Sequence, residues 1–218
     1  MKKILCVGYR DWALNIYDRL SESFHDSEIY IIRSYGDYKA SFIVEFNPDY
    51  ILYYGWSWAV SREIVENYKC IMLHPSPLPK YRGGSPIQNQ IINNEKKSAV
   101  TLFQMNKDLD SGPIFAQQAF SLEGELSEIL NKVSTIGYEL TLNLLLSDTA
   151  PMPQDEKDAT VFSRLDSKKS EITLEEIKNK SSEYLYNKIR MLQDPYPKPF
   201  IKTSDGKKLY ILKSMIED

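Results

Sequence analysis

A histidine followed by three closely spaced prolines ends an apolar run at His74-Pro75-Ser76-Pro77-Leu78-Pro79, and further on Asn106-Lys107-Asp108-Leu109-Asp110-Ser111-Gly112 puts two carboxylates in one turn. Imidazole titrates close to neutrality, so a histidine can take up a proton and return it within one reaction. The prolines would hold a loop open beside the ring. Each feature also has a plain structural use, because a histidine can close a strand and an aspartate bonds its own turn backbone. What raises His74 above that use is its place in the chain. It follows a buried strand, and in a parallel sheet ligands bind outside the carboxyl ends of the strands.

The surrounding pattern supplies such a sheet. Short β-rich runs alternate with amphipathic stretches through the first half, which predicts an α/β fold with a mostly parallel sheet. Strands are predicted at Lys3 to Val7, Glu28 to Ile32, Tyr50 to Tyr54, Cys70 to His74, Ser98 to Met105 and Pro113 to Ala119. Helices are predicted near Trp12 to Ser23, Tyr38 to Phe46 and Ser61 to Asn67, and a longer one carries Leu126, Ile129, Leu130, Val133, Leu140 and Leu144 on one face. Pro151 and Pro153 break that helix inside a Pro, Asp and Thr-rich stretch from Ser147 to Asp158. The expected organisation is a catalytic domain over 1–150, a linker region over 151–180 and a small helix and hairpin over 181–218, with Asp205-Gly206 as the hairpin turn.

The chain has 218 residues, 42% of them hydrophobic, enough to bury a full core. With 27 basic and 30 acidic residues the net charge is -3, which disfavours a nucleic-acid partner. The opening run Ile4 to Gly8 is too short for a signal peptide, and no stretch is apolar for long enough to span a bilayer. The two cysteines, Cys6 and Cys70, both lie in strand-like runs and read as buried reduced thiols, not as a disulfide or metal pair. A cytoplasmic location without membrane attachment is expected.

The two chemical segments together resemble the formyltransferase family, whose pattern is a strand ending in N-x-H-P-S-L-L-P-x-Y-R-G followed by an L-D-T-G or A-D-A-G turn. Matching residues are His74-Pro75-Ser76, Leu78-Pro79, Tyr81-Arg82-Gly83 and Leu109-Asp110-Ser111-Gly112, with the same His74 to Asp110 spacing. The resemblance is specific over Tyr50 to Gln118. It implies a Rossmann-like formyltransferase domain, 10-formyltetrahydrofolate as co-substrate, no metal, and His74 and Asp110 as catalytic residues. In that role His74 moves a proton from the attacking amine to the departing folate nitrogen, and Asp110 orients the ring. The same resemblance places the folate ring between Trp56-Ser57-Trp58 and the turn residues Asn106, Lys107, Asp108 and Leu109.

One departure matters. The family's asparagine two residues before the histidine is Met72 here, and a thioether cannot donate a hydrogen bond. Residues two apart on a strand share a face, so Met72 should still enter the site. Protonated His74, a backbone amide, an ordered water or the carboxamide of Gln88 could stand in for the lost donor.

For the acceptor, the net acidity and the Gly8-Tyr9-Arg10-Asp11-Trp12 segment point away from tRNA-modifying and purine-pathway members. They leave a nucleotide-linked amino sugar, with a bacterial surface glycan as its destination. Lys80, Tyr81 and Arg82 are the expected acceptor contacts, the two cations facing a diphosphate. Some sugar-specific members carry arginine at the position of Gly84. The tail is expected to help bind the acceptor or a partner subunit, as in a homodimer, because its Tyr184, Tyr186, Tyr196 and Tyr210 offer aromatic surface, and truncation before Ser181 is then expected to spare donor binding. Two rival functions are a hydrolase that releases formate from the same donor and a folate- or nucleotide-binding protein without catalysis.

Overall fold

A computed structural model describes residues 1–147 and 149–217. Asp148, within the expected Ser147 to Asp158 linker, lies outside the described residues, as does Asp218.

The first four strands, β1 (Lys3–Val7), β2 (Glu28–Ile32), β3 (Tyr50–Tyr54) and β4 (Cys70–His74), form where they are expected. They alternate with α1 (Asp11–Ser23), α2 (Ala40–Phe46) and α3 (Arg62–Asn67). After β4 come β5 (Arg82–Gly83), α4 (Pro86–Ile92), β6 (Lys97–Gln104), β7 (Ile114–Ser121) and α5 (Leu126–Leu146). The six-stranded sheet runs β2-β1-β3-β4-β6-β7, parallel through β4 and antiparallel at β6 and β7.

Alternation along the strands divides two cores. Ile4 and Cys6 of β1, Leu52 and Tyr54 of β3, and Ile71 and Leu73 of β4 face α1 and α5. Leu5, Val7, Ile51, Tyr53 and Cys70 face α2 and α3, and Met72 packs on that side too. Since β1 and β3 are covered on both faces, their sequences read as unbroken apolar runs. Cys6 and Cys70 are buried free thiols, and burial pushes both up, Cys70 to about 12. Among the described residues no helix is long and apolar enough to cross a membrane.

Beyond α5 the chain does not hang free. Met152 pairs with Ile114 of β7, and β8 (Val161–Phe162) lies parallel to β5. Two short 3₁₀ turns (Glu156–Asp158 and Ser167–Ser170), α6 (Leu174–Asn179) and α7 (Ser182–Met191) follow. β9 (Phe200–Lys202) and β10 (Lys208–Tyr210) then form the expected hairpin, with Gly206 at positive φ in its turn. Met191 and Leu192 enter the main core, and Arg190 donates to the carbonyls of Leu122 and Gly124, both at 2.9 Å. Removing everything from Ser181 would uncover that part of the core, so the tail is packed on the main domain.

Candidate active site

The carboxyl ends of β1, β3 and β4 open into one cavity of about 610 Å³. β4 brings His74 and Met72 there together, as their shared strand face requires. His74 is 5% exposed and Asp110 is 9% exposed. The imidazole Nδ1 lies 3.6 Å from Asp110 Oδ2, longer than a hydrogen bond, while Nε2 donates to the carbonyl of Tyr81 at 2.8 Å. The ring therefore rests with each nitrogen facing an acceptor. For Nε2 to receive a proton from a substrate, the ring must first leave the Tyr81 carbonyl.

Both partners are fixed by the backbone around them. Asp110 sits at φ +49, and its Oδ2 accepts from the Gly83 N–H at 2.8 Å. Gln154 donates to the carbonyls of Asp110 at 2.9 Å and Gly112 at 2.7 Å, so the turn is clamped from outside. On the other side the loop after His74 is stitched to the sheet by Thr101 Oγ1 to the Ser76 carbonyl (2.6 Å) and Gln117 Nε2 to the Leu78 carbonyl (3.0 Å). Such bonding keeps a loop with three prolines in one geometry, which proton transfer needs.

Gly55, at φ +60, ends β3 and turns the chain into the aromatic wall. Trp56 and Trp58 lie 4.7 Å apart, Tyr9 is 4.9 Å from Trp58, and Tyr35 stacks on Trp58 at 4.6 Å. Ser57 Oγ shares a hydrogen bond with Tyr9 Oη at 2.7 Å. Trp56 Nε1 is buried with no partner, and so are both amide atoms of Gln88. An orphaned buried polar group costs about 1–3 kcal/mol, so two of them on one cavity wall suit a ligand that supplies the partners. A flat heteroaromatic ring with polar edges fits this wall.

The cavity collects Trp56, Ser57, Trp58, His74, Leu109 and Asp110 of the expected residues. It does not collect Asn106, Lys107 or Asp108, which are exposed on the outer side of their turn, where Asn106 Oδ1 accepts from the Asp108 N–H (3.0 Å) and Ser111 Oγ (3.1 Å). Lys80, Tyr81 and Arg82 are also off the wall. Lys80 is exposed, and the ring of Tyr81 stacks on Phe162 at 4.7 Å. Arg82 is buried and makes two hydrogen bonds to Glu156 (2.9 and 2.7 Å) and two to Gln154 (3.2 and 2.7 Å). Its guanidinium fastens a strap made of residues 152–165 across the site, so it is not turned to a diphosphate. The cations on the wall are instead Arg10 and Arg164. Arg10 follows the end of β1 and could have been found by the same strand-end rule as His74, whereas nothing in the sequence around Arg164 signals it.

The strap also explains Gly84. A Cβ there would lie 2.5 Å from the Arg164 backbone, so the arginine that some sugar-specific members carry at this position has no room here.

The Arg82 clasp has a pH consequence. Its hydrogen bonds hold the Glu156 carboxyl below its ordinary value of 4.5, and a depressed folded value stabilises the fold above pH 4.5 and ceases to do so as pH falls through it. The thermal midpoint of the wild type should therefore exceed that of Glu156→Gln at about pH 7, by a small amount because Glu156 is exposed, and the gap should close towards about pH 3. Equal gaps at both pH values would contradict the clasp.

The formyl transferase family model matches residues 19–142, more than half the chain, including His74, Asp110 and the Trp56 to Trp58 loop. The chain belongs to the formyl transferase family. Among curated members, a methionyl-tRNA formyltransferase of Ehrlichia ruminantium (strain Gardel) is 30% identical over 178 residues, which cover 79% of this chain and 55% of that protein. The chain spans about half the length of the curated family members it matches. Among solved structures, a methionyl-tRNA formyltransferase from Clostridium thermocellum superposes with a TM-score of 0.87 at 29% identity, covering 97% of both chains. A 4-N formyltransferase from Francisella tularensis shares the fold at a TM-score of 0.76 and 20% identity, covering 100% of this chain and 98% of that one. These likenesses agree with the α/β fold and its mostly parallel sheet.

Proposed function

We propose that the chain transfers the formyl group of 10-formyltetrahydrofolate to an amine, with His74 moving the proton and Asp110 holding the ring. The observation that carries this reading is the buried His74 and Asp110 pair beneath an aromatic wall in one cavity, within the span matched to the family. Trp56, Ser57, Trp58 and Leu109 would hold the folate ring. The neutral amine forms its bond to the formyl carbon, the carbonyl electrons move to oxygen, and the carbon–nitrogen bond to the folate then breaks. His74 takes the excess proton from the new amide nitrogen and gives it to the folate nitrogen that leaves, so the chain ends in its starting state. Asp110 keeps the ring in place and stabilises the imidazolium that forms between the two transfers.

For the acceptor, the nucleotide-linked amino sugar remains our reading. Its support is the acidic balance of the chain and the two guanidinium groups, Arg10 and Arg164, that face the cavity where an anionic group would lie. A second reading, initiator methionyl-tRNA, is favoured by the names of the curated family members. A salt series separates the two, because a tRNA acceptor should lose affinity steeply as salt rises and a sugar nucleotide only slightly. The donor half is checked by tetrahydrofolate release from 10-formyltetrahydrofolate. Release that depends on an added amine is expected, whereas amine-independent release with free formate would favour hydrolysis.

A further inference from the structure

The reaction develops negative charge on the formyl oxygen, and Met72 leaves β4 without a donor for it. This inference rests on the formyl-transfer reading. His74 is assigned to the substrate nitrogens in that reading, between which it moves the proton, and at rest its own nitrogens face the Tyr81 carbonyl and Asp110. The nearby Gly83 N–H is given to Asp110 Oδ2.

Three consecutive buried amides on α4 single out another group. Asn89 donates to the carbonyl of Gly84 at 2.8 Å, and Gln90 donates to the carbonyls of Pro75 at 2.9 Å and Pro86 at 3.0 Å. Asn89 also donates to the Ser163 carbonyl at 3.3 Å, so these two tie α4 to the strap and to the residue after His74. Gln88 stands between them, 1% exposed, with neither Nε2 nor Oε1 bonded. Of the three, Gln88 alone reaches the cavity wall, where it joins Met72, His74 and Asp110. A buried carboxamide with no partner in the folded protein weakens the fold, and its retention is accounted for by a partner that arrives with the substrate. The other orphaned donor on the wall, Trp56 Nε1, belongs to the aromatic cluster 5.1 Å from Tyr38 and is placed to meet the ring of the donor.

We infer that the Gln88 carboxamide donates a hydrogen bond to the formyl oxygen, taking the place of the donor that Met72 cannot provide. Gln88 is then a catalytic residue, and α4 holds it by the bonds of its neighbours. Removing one such donor typically lowers turnover by about 10²–10³-fold.

The test uses the full chain with Gln88→Met, which keeps the length of the side chain and removes the polar atoms. Gln88→Met should melt at or above the wild-type temperature, because the orphaned amide is gone, while turnover at saturating substrates falls by about 100-fold and KM for the donor changes little. Adding Met72→Asn to that variant should recover part of the loss, since a donor returns on the other wall. A second measurement needs no turnover. With 10-formyl-5,8-dideazafolate carrying ¹³C at the formyl carbon, the bound carbonyl stretch should shift to lower frequency in wild type, and the shift should be lost in Gln88→Met. Turnover of Gln88→Met within about threefold of wild type, or an unchanged carbonyl shift, overturns the role of Gln88. If the wild type binds the labelled donor and shows the shift but transfers to no amine, the formyl-transfer reading fails while the contact stands.

Discussion

His74→Ala should lower turnover by about 10²–10⁴-fold, the range that a positioned proton acceptor supplies. The fold should survive, because β4 is held by its ladders to β3 and β6 and not by the ring. Loss of the ring leaves the Tyr81 carbonyl without its 2.8 Å partner, so a modest drop in thermal midpoint is expected alongside the much larger loss of rate. Asp110 calls for a gentler change, because its Oδ2 also accepts from the Gly83 N–H. Asp110→Asn keeps an acceptor for that bond and removes the charge that steadies the imidazolium, so its loss of rate should exceed its loss of stability. Initial rates and melting curves on the same preparations decide both cases. A His74→Ala variant within about threefold of wild type would remove the ring from the chemistry.

Gly112→Ala should damage both stability and rate without touching a reacting group. A Cβ at Gly112 would lie 1.7 Å from the carbonyl oxygen of Gln104, which is backbone at the end of β6 and cannot swing aside. Gln104 is paired with Ile71 of β4, so relief must come from the turn that carries Asp110 or from the strand beside His74. Overpacking of this kind costs about 1–3 kcal/mol or more, and a shift of about 1 Å at a reacting group can cost about 100-fold in rate. The bond from Gln154 to the Gly112 carbonyl would be disturbed as well. Thermal melts and turnover measured on Gly112→Ala check this, and wild-type values in both would contradict the packing described at the turn.

The buried strands were legible because a parallel strand covered on both faces must be apolar throughout. The pairing of His74 with Asp110 was implied by the family resemblance that the two motifs carry. α4 was missed because its buried face is largely amide, Gln88, Asn89 and Gln90, and carries little apolar periodicity to detect. β5 and β8 are two residues each, and their pairing is made by contact and not by pattern. The same holds for the strap. Its Pro, Asp and Thr composition reads as a linker, while Gln154, Glu156 and Phe162 act on residues far back in the chain. Lys80 and Arg82 were expected at the acceptor because they are cations in a loop near His74, yet sequence does not say which way a loop side chain turns. In the fold Arg82 turns to Glu156 and Arg10 takes the cavity wall.

Transfer itself is tested most directly by following the label from ¹³C-formyl 10-formyltetrahydrofolate with the full chain and a panel of nucleotide-linked amino sugars, with charged initiator tRNA in a parallel arm. The expected result is an acceptor whose mass rises by one labelled formyl group in place of one hydrogen, with an equal amount of tetrahydrofolate, in wild type and not in His74→Ala. Label recovered only as free formate, or donor that binds and stays intact with every amine, would contradict formyl transfer by this chain.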